Sequence, residues 1–282
     1  MYRFLLSRQW VVLTLLALVL IPVMVQLGFW QLHRHQDRVA HNELIAASLA
    51  AEPVPVTELT GVGRQPERDD LYRRVTATGA YDTGGEVVVR RRTAADDRSI
   101  GYFVLTPLVR ADGSVLLVNR GWVPSGASQR TYPDVPPAPG GTVTVTGRLL
   151  PDETTDSTGI TVRDGLPDRQ VMLINSEQRA QALDRPVLGG FVELTATRPE
   201  PPAAQLAEQV PEPDHSGIGA HLAYAVQWWL FAAAVPVGWV VLLRREARDR
   251  RQQRATAAEA RPGGDAPSGA PALAGSGSGQ AD

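Results

Sequence analysis

WVVLTLLALVLIPVMVQLGFW at residues 10–30 and YAVQWWLFAAAVPVGWVVLL at residues 224–243 decide how this chain is organised, because neither run holds a charged side chain. A helix rises about 1.5 Å per residue, so roughly 20 apolar residues cross the hydrocarbon of a bilayer. Both runs read as transmembrane helices. A cleaved signal peptide has a shorter apolar core, of roughly 7–15 residues, and a small-residue cleavage site. The first run is longer and closes on Gly28, Phe29 and Trp30, which suits an interfacial anchor.

Charge sets the expected orientation. Arg3 and Arg8 precede the first run, and Arg244, Arg245, Arg248, Arg250, Arg251 and Arg254 follow the second, diluted only by Glu246 and Asp249. The approach to the second run is acidic, with Glu208, Glu212 and Asp214. Cytoplasmic flanks carry the excess of basic residues, so both termini are expected in the cytoplasm. Arg34 and Arg38 oppose this assignment, but two spans return the chain to its starting side. The expected partition is a cytoplasmic N-terminus (1–9), a first span (10–30), an extracytoplasmic domain (31–220), a second span (221–243) and a cytoplasmic tail (244–282), basic and then disordered from about Ala255. No Ser-rich amphipathic transit sequence precedes the first span, so a bacterial plasma membrane is the expected home.

Net charge is −2, which gives no footprint for nucleic acid. All 28 basic residues are Arg, so no Lys is present for Schiff-base chemistry. There is no Cys, and Met1, Met24 and Met172 are scattered. Cu(I) favours thiolate and thioether ligands, so copper carriage and thiol redox chemistry are both poorly served.

The stretch between the spans reads as β-rich. Residues 73–81, 86–92, 100–110, 114–120, 142–150, 171–174 and 191–197 have strand character, and Ala111-Asp112-Gly113 is a hairpin signal. Residues 176–183 read as a short helix capped by Asn175 or Ser176, and residues 40–52 as an outward continuation of the first helix. The expected fold is a membrane protein whose two transmembrane helices flank an extracytoplasmic β-rich (α+β) domain, an antiparallel sheet or small barrel. Pro-rich segments fall at 133–139 and 199–213, the second expected as a tether into the membrane.

Candidate chemistry clusters where the spans leave the bilayer. Trp30, Arg34 and Arg38 fall at i, i+4, i+8, either a cradle for a ligand carboxylate or an aromatic belt with lipid-solvated arginines. His33, Asp37 and His41 have the same spacing, but offer no fourth zinc ligand and no Glu base. His221, Tyr224 and Trp228 share a face at the start of the second span. A neutral imidazole there can ligate haem iron, or it is simply an interfacial His. Gln227, expected deeper and buried, needs a hydrogen-bond partner. Asn119, Arg120, Gly121 and Trp122 are expected to end a strand, either as an exposed partner-binding surface or as a turn with Trp122 packed under the sheet and Arg120 in a salt bridge. No phosphate loop, HExxH or nucleophile elbow is present, so nothing marks an enzyme.

Three blocks in order, LGFWQLHRHQDR (27–38), VNRGWVP (118–124) and HLAYAVQWWLFA (221–232), resemble the Surfeit-locus cytochrome c oxidase assembly family. Tyr72, Arg73, Gly79, Tyr81, Gly101, Tyr102, Thr106, Pro107 and Asp112-Gly113 resemble its intervening pattern, and the likeness covers about residues 10–243. The resemblance implies a non-catalytic assembly factor for haem–copper oxidase, acting when haem a enters the large oxidase subunit. Haem a is the implied cofactor. The large subunit and haem a synthase are the implied partners, with membrane lipid and a second copy of the chain as further ones. His221 matches the family's membrane-border His, a proposed haem ligand and the single metal-binding position implied. Trp30, Gln31 and Arg34 match its first block, and Asn119 to Trp122 its central one. Arg38 stands where Lys is common. The isoprenoid tail of haem a belongs in lipid, and Arg34 and Arg38 offer cations to its propionates. The alternative is a haem-independent scaffold that stabilises oxidase subunits.

Overall fold

A computed structural model of the chain describes residues 3–126, 128, 130–162 and 165–259. The chain divides into two compact units, one formed by the segments up to His33 and from Ala220, the other by Arg34–Gly219.

The first unit is helical. α1 (Arg8–Ala50) is continuous through the first apolar run and beyond it, as the sequence suggests. Both α1 and the last helix, α5 (His221–Glu259), are long and apolar enough to cross a membrane, and 6% of the apolar window of each is buried inside the chain. That exposure separates them from the core helices of a soluble protein. Each carries an internal proline, Pro22 and Pro236, a residue tolerated in membrane helices. α5 passes Ala255, where an irregular tail was expected; residues 260–282 lie outside the described residues.

The two helices meet along a seam set by small residues and indoles. A Cβ on Gly28 would stand 2.2 Å from Trp229 Nε1, so only glycine admits that ring. Phe29 meets Trp229 edge-to-face at 5.6 Å. Nearer the other end, Trp10 and Trp239 pair at 6.2 Å, and Trp239 Nε1 donates to Thr14 Oγ1 (3.1 Å). The indole N–H, costly to leave bare among apolar groups, is thereby satisfied.

The second unit is built on β1 (Val54–Pro55), α2 (Val56–Leu59), β2 (Arg74–Tyr81), β3 (Val87–Thr93), β4 (Ile100–Val109), β5 (Val115–Pro124), β6 (Thr142–Leu150), α3 (Thr155–Thr158), β7 (Gln170–Val171), α4 (Ser176–Leu183) and β8 (Phe191–Arg198). Strands β2, β6, β8, β5 and β4 are neighbours in that order. β4 returns to β2 through Ala80↔Val109 and Tyr81↔Leu108, closing a five-stranded barrel. β1 extends from β2, and β3 and then β7 from β4. The sheet is not purely antiparallel: β5–β8, β1–β2 and β3–β7 are parallel pairs.

The alternation read from the sequence decides what faces inward. Val75 and Ala77, Leu108, Leu116 and Val118, Val143, Val145 and Val192 form one buried cluster. A second cluster includes Leu105, Leu117, Ile174 and Phe191, with Ala180 and Leu183 of α4 against it. α4 has the expected bounds, and Asn175 is its cap, accepting from Gln178 N at 3.0 Å. Ser176 instead donates to Asp152 Oδ2 (2.6 Å).

β5 runs on through Pro124, so residues 119–122 lie within a strand and not in a turn at its end. The segment expected as a free tether is fastened to the barrel. Trp122 N donates to Glu208 O (2.7 Å), Glu208 N to Trp122 O (3.0 Å), and Gln209 Nε2 to Thr195 O (3.1 Å).

Candidate functional site

In the helical unit the arrangement of interest lies at the first residue of α5. His221 Nδ1 is 3.0 Å from Gln31 Oε1. With the amide oxygen of Gln31 facing Nδ1, a neutral ring that donates there would keep its lone pair on Nε2. His221 is half-buried. Trp228, two turns on, is half-buried and meets Phe231 edge-to-face at 6.2 Å. Tyr224 is 49% exposed and Trp30, next to Gln31 on α1, is 52% exposed. Gln227 is exposed, contrary to expectation. Among the described side chains of α5, Ala225 and Ala232 are the buried ones, and the helical phase puts Gln227 on the opposite side. Gln31 stands in the first of the three family-like blocks, but nothing in the sequence marks it as the partner of His221.

Arg34 and Arg38 are exposed side chains of α1 that belong to the second unit. Among the described residues no group of three or more His, Cys, Asp or Glu gathers to hold a metal ion, so the run of His33, Asp37 and His41 makes no zinc site.

In the barrel unit, the block containing Asn119, Arg120, Gly121 and Trp122 is buried, which corrects the expectation of an exposed Arg and Trp. Arg120 Nη1 donates to Glu86 Oε2 (3.2 Å), while Nη2 reaches the carbonyl oxygens of Pro136, Pro137 and Gln205, each at 3.0 Å. One guanidinium thus ties β5 to both Pro-rich segments. Glu86 also accepts from Thr106 Oγ1 (2.8 Å) and Tyr132 Oη (3.0 Å). The Arg169 guanidinium stacks over the Tyr132 ring at 4.2 Å. Burial pushes the Tyr132 phenol up, and Glu86 beside it adds to the effect. Trp122 Nε1 donates to Arg92 O (2.9 Å), and Asn119 Oδ1 accepts from Gly121 N (3.1 Å).

A second buried pair lies on neighbouring strands. Arg148 Nε donates to Glu193 Oε2 (3.2 Å), and its Nη2 donates to Val210 O (2.8 Å) and Pro211 O (3.1 Å), again holding the Pro-rich segment. Burial pushes the Glu193 carboxyl above its ordinary range, and Arg148 only partly pulls it back. A carboxyl raised on folding holds its proton more tightly in the folded chain. Stability should therefore fall as pH rises from the ordinary carboxylate value through the raised one. Glu193→Gln should remove that slope, so the difference in thermal midpoint between wild type and variant should change across this interval and level off above it. A difference independent of pH would mean that Glu193 is ionised throughout. Glu86, Tyr132, Arg148 and Glu193 were not singled out from the sequence, because their partners are distant along the chain.

The geometry can do two things. The barrel clusters are structural, since each charge is consumed by an internal partner. The helix pair, by contrast, presents one imidazole beside one side-chain amide.

A family model described as the SURF1 family matches residues 18–233. SURF1-like proteins of Mycobacterium bovis and Mycobacterium tuberculosis are each 32% identical over 254 residues, covering 89% of this chain and 90% of theirs. A SURF1-like protein of Monosiga brevicollis is 29% identical over 242 residues, covering 81% of this chain and 87% of its own.

Proposed function

The chain belongs to the SURF1 family, and from that premise we propose that it is an assembly factor for haem–copper cytochrome c oxidase. In this reading it binds haem a through His221 and helps to deliver it into the large oxidase subunit, with haem a synthase as a source of the cargo. It acts as a carrier and not as an enzyme. The helices cross a bacterial plasma membrane with both termini in the cytoplasm and the barrel outside, as the arginine-rich part of α5 beyond its apolar run favours.

The observation that carries the reading is the His221–Gln31 pair. Iron takes a neutral imidazole nitrogen, and a ring whose Nδ1–H is engaged offers Nε2. The donor set fits haem iron and not copper, because the chain lacks Cys and its three Met are dispersed. Exposed apolar and aromatic side chains of α5, Tyr224, Phe231 and Leu230 among them, supply a surface suited to a porphyrin and its isoprenoid tail. Arg34 and Arg38 enter only as the cations that the sequence offers to the propionates.

The test is purification of the full chain from cells that make haem a. Wild type is expected to carry a haem spectrum at near one equivalent and His221→Ala to lose it. Full occupancy in His221→Ala would favour a scaffold that stabilises oxidase subunits without haem.

A further inference from the structure

We propose that Gln31 is a positioning residue that sets the tautomer of His221 and so aims Nε2 at the iron. The inference rests on the haem reading above, but its first measurement does not need haem.

Gln31 lies on α1 and His221 opens α5, 190 positions away in sequence, with 3.0 Å between Oε1 and Nδ1. A neutral histidine side chain in water favours the proton on Nε2, which puts the lone pair on the nitrogen nearer the backbone. An acceptor at Nδ1 reverses that preference. It leaves the outer nitrogen, Nε2, as the ligand and restricts rotation of the ring. Metal-bound histidines commonly have such a partner, which also raises the basicity of the ligating nitrogen.

The contact is fixed by the helix seam. Gly28, three residues before Gln31, admits the Trp229 indole, and Phe29 closes on the same ring. Trp229 is two turns beyond His221 on α5. At the far end the Trp239 N–H is held by Thr14. With both ends pinned, neither helix can slide by a turn without losing a glycine-sized contact and a part-buried hydrogen bond. Gln31 therefore stays opposite His221.

The experiment uses the full chain labelled with 15N-histidine in nanodiscs, without haem, and reads the His221 tautomer by long-range 1H–15N correlation. Wild type is expected to show Nδ1–H, and Gln31→Leu is expected to shift to Nε2–H or to an average of the two. Haem titration should then show affinity falling roughly 10- to 100-fold in Gln31→Leu, the range typical for loss of an outer-shell partner. Gln31→Glu keeps an acceptor and should restore affinity. It should also lower the reduction potential of the bound iron, because a carboxylate donates more strongly through the ring than an amide. That potential shift is a readout that a merely structural role for Gln31 would not move. Nε2–H in the wild-type chain, or wild-type haem affinity in Gln31→Leu, would overturn the inference. Haem retained by His221→Ala would instead defeat the carrier reading, whatever the tautomer proves to be.

Discussion

Arg120→Ala is expected to cost the folded chain about 3–5 kcal/mol, the usual range when one partner of a buried ion pair is removed. Arg120 is 5% exposed and Glu86 7%, so the carboxylate left behind has no water to turn to. Three carbonyls, of Pro136, Pro137 and Gln205, lose their shared donor in the same step. Arg169 remains 3.5 Å from the other oxygen of Glu86 and is half-exposed, which argues for the lower end of the range. For a domain of this size the loss corresponds to a fall in thermal midpoint of roughly 6–20 °C. Arg120→Lys should be intermediate, because a point charge can face Glu86 but cannot also fork to the carbonyls. The double variant Arg120→Met with Glu86→Leu should recover part of the loss, since it leaves no buried charge unpaired. A single variant as stable as wild type, measured by thermal unfolding of the full chain, would mean that the pair is idle.

Gly121→Val is the second large effect. Gly121 has φ +128°, a conformation that L side chains rarely adopt, and a Cβ there would stand 2.4 Å from Glu208 O. Backbone strain of this kind costs on the order of 1–3 kcal/mol, and the clash is with backbone, which cannot swing away. The Pro-rich segment must therefore lift from β5, breaking both hydrogen bonds between Trp122 and Glu208. The remaining barrel strands need not separate. Limited proteolysis should thus cut the variant within residues 199–213 much faster than wild type, while strand content by circular dichroism is largely kept. Equal cleavage rates would show that the segment is not held at this point.

Both substitutions fall in the central block. Asn119, Arg120 and Gly121 have the composition of a turn, and a reading by residue type ends the strand there. The structure carries β5 through them to Pro124 because the glycine takes a positive φ without leaving the sheet, and because the two Pro-rich segments cover the arginine. The salt bridge considered as the plainer alternative is the arrangement found. Its partner could not have been named beforehand: Glu86 lies 34 positions away, just before β3. His221 stands out by its place at the head of an apolar run and Gln31 by the resemblance of its block, but their pairing across 190 positions is visible only in the contact.

By itself the sequence determined the two long apolar helices, the positions of most strands, the β4–β5 hairpin and the bounds of α4. Each of these is a local pattern: an uncharged run, a period of two, a turn residue or a cap. Only the tertiary structure decided that β4 returns to β2 to close a barrel, that Arg120 and Arg148 are buried against the Pro-rich segments, and that one amide faces one imidazole. Those outcomes depend on which distant groups meet, and neighbouring residues carry no record of a partner in another element.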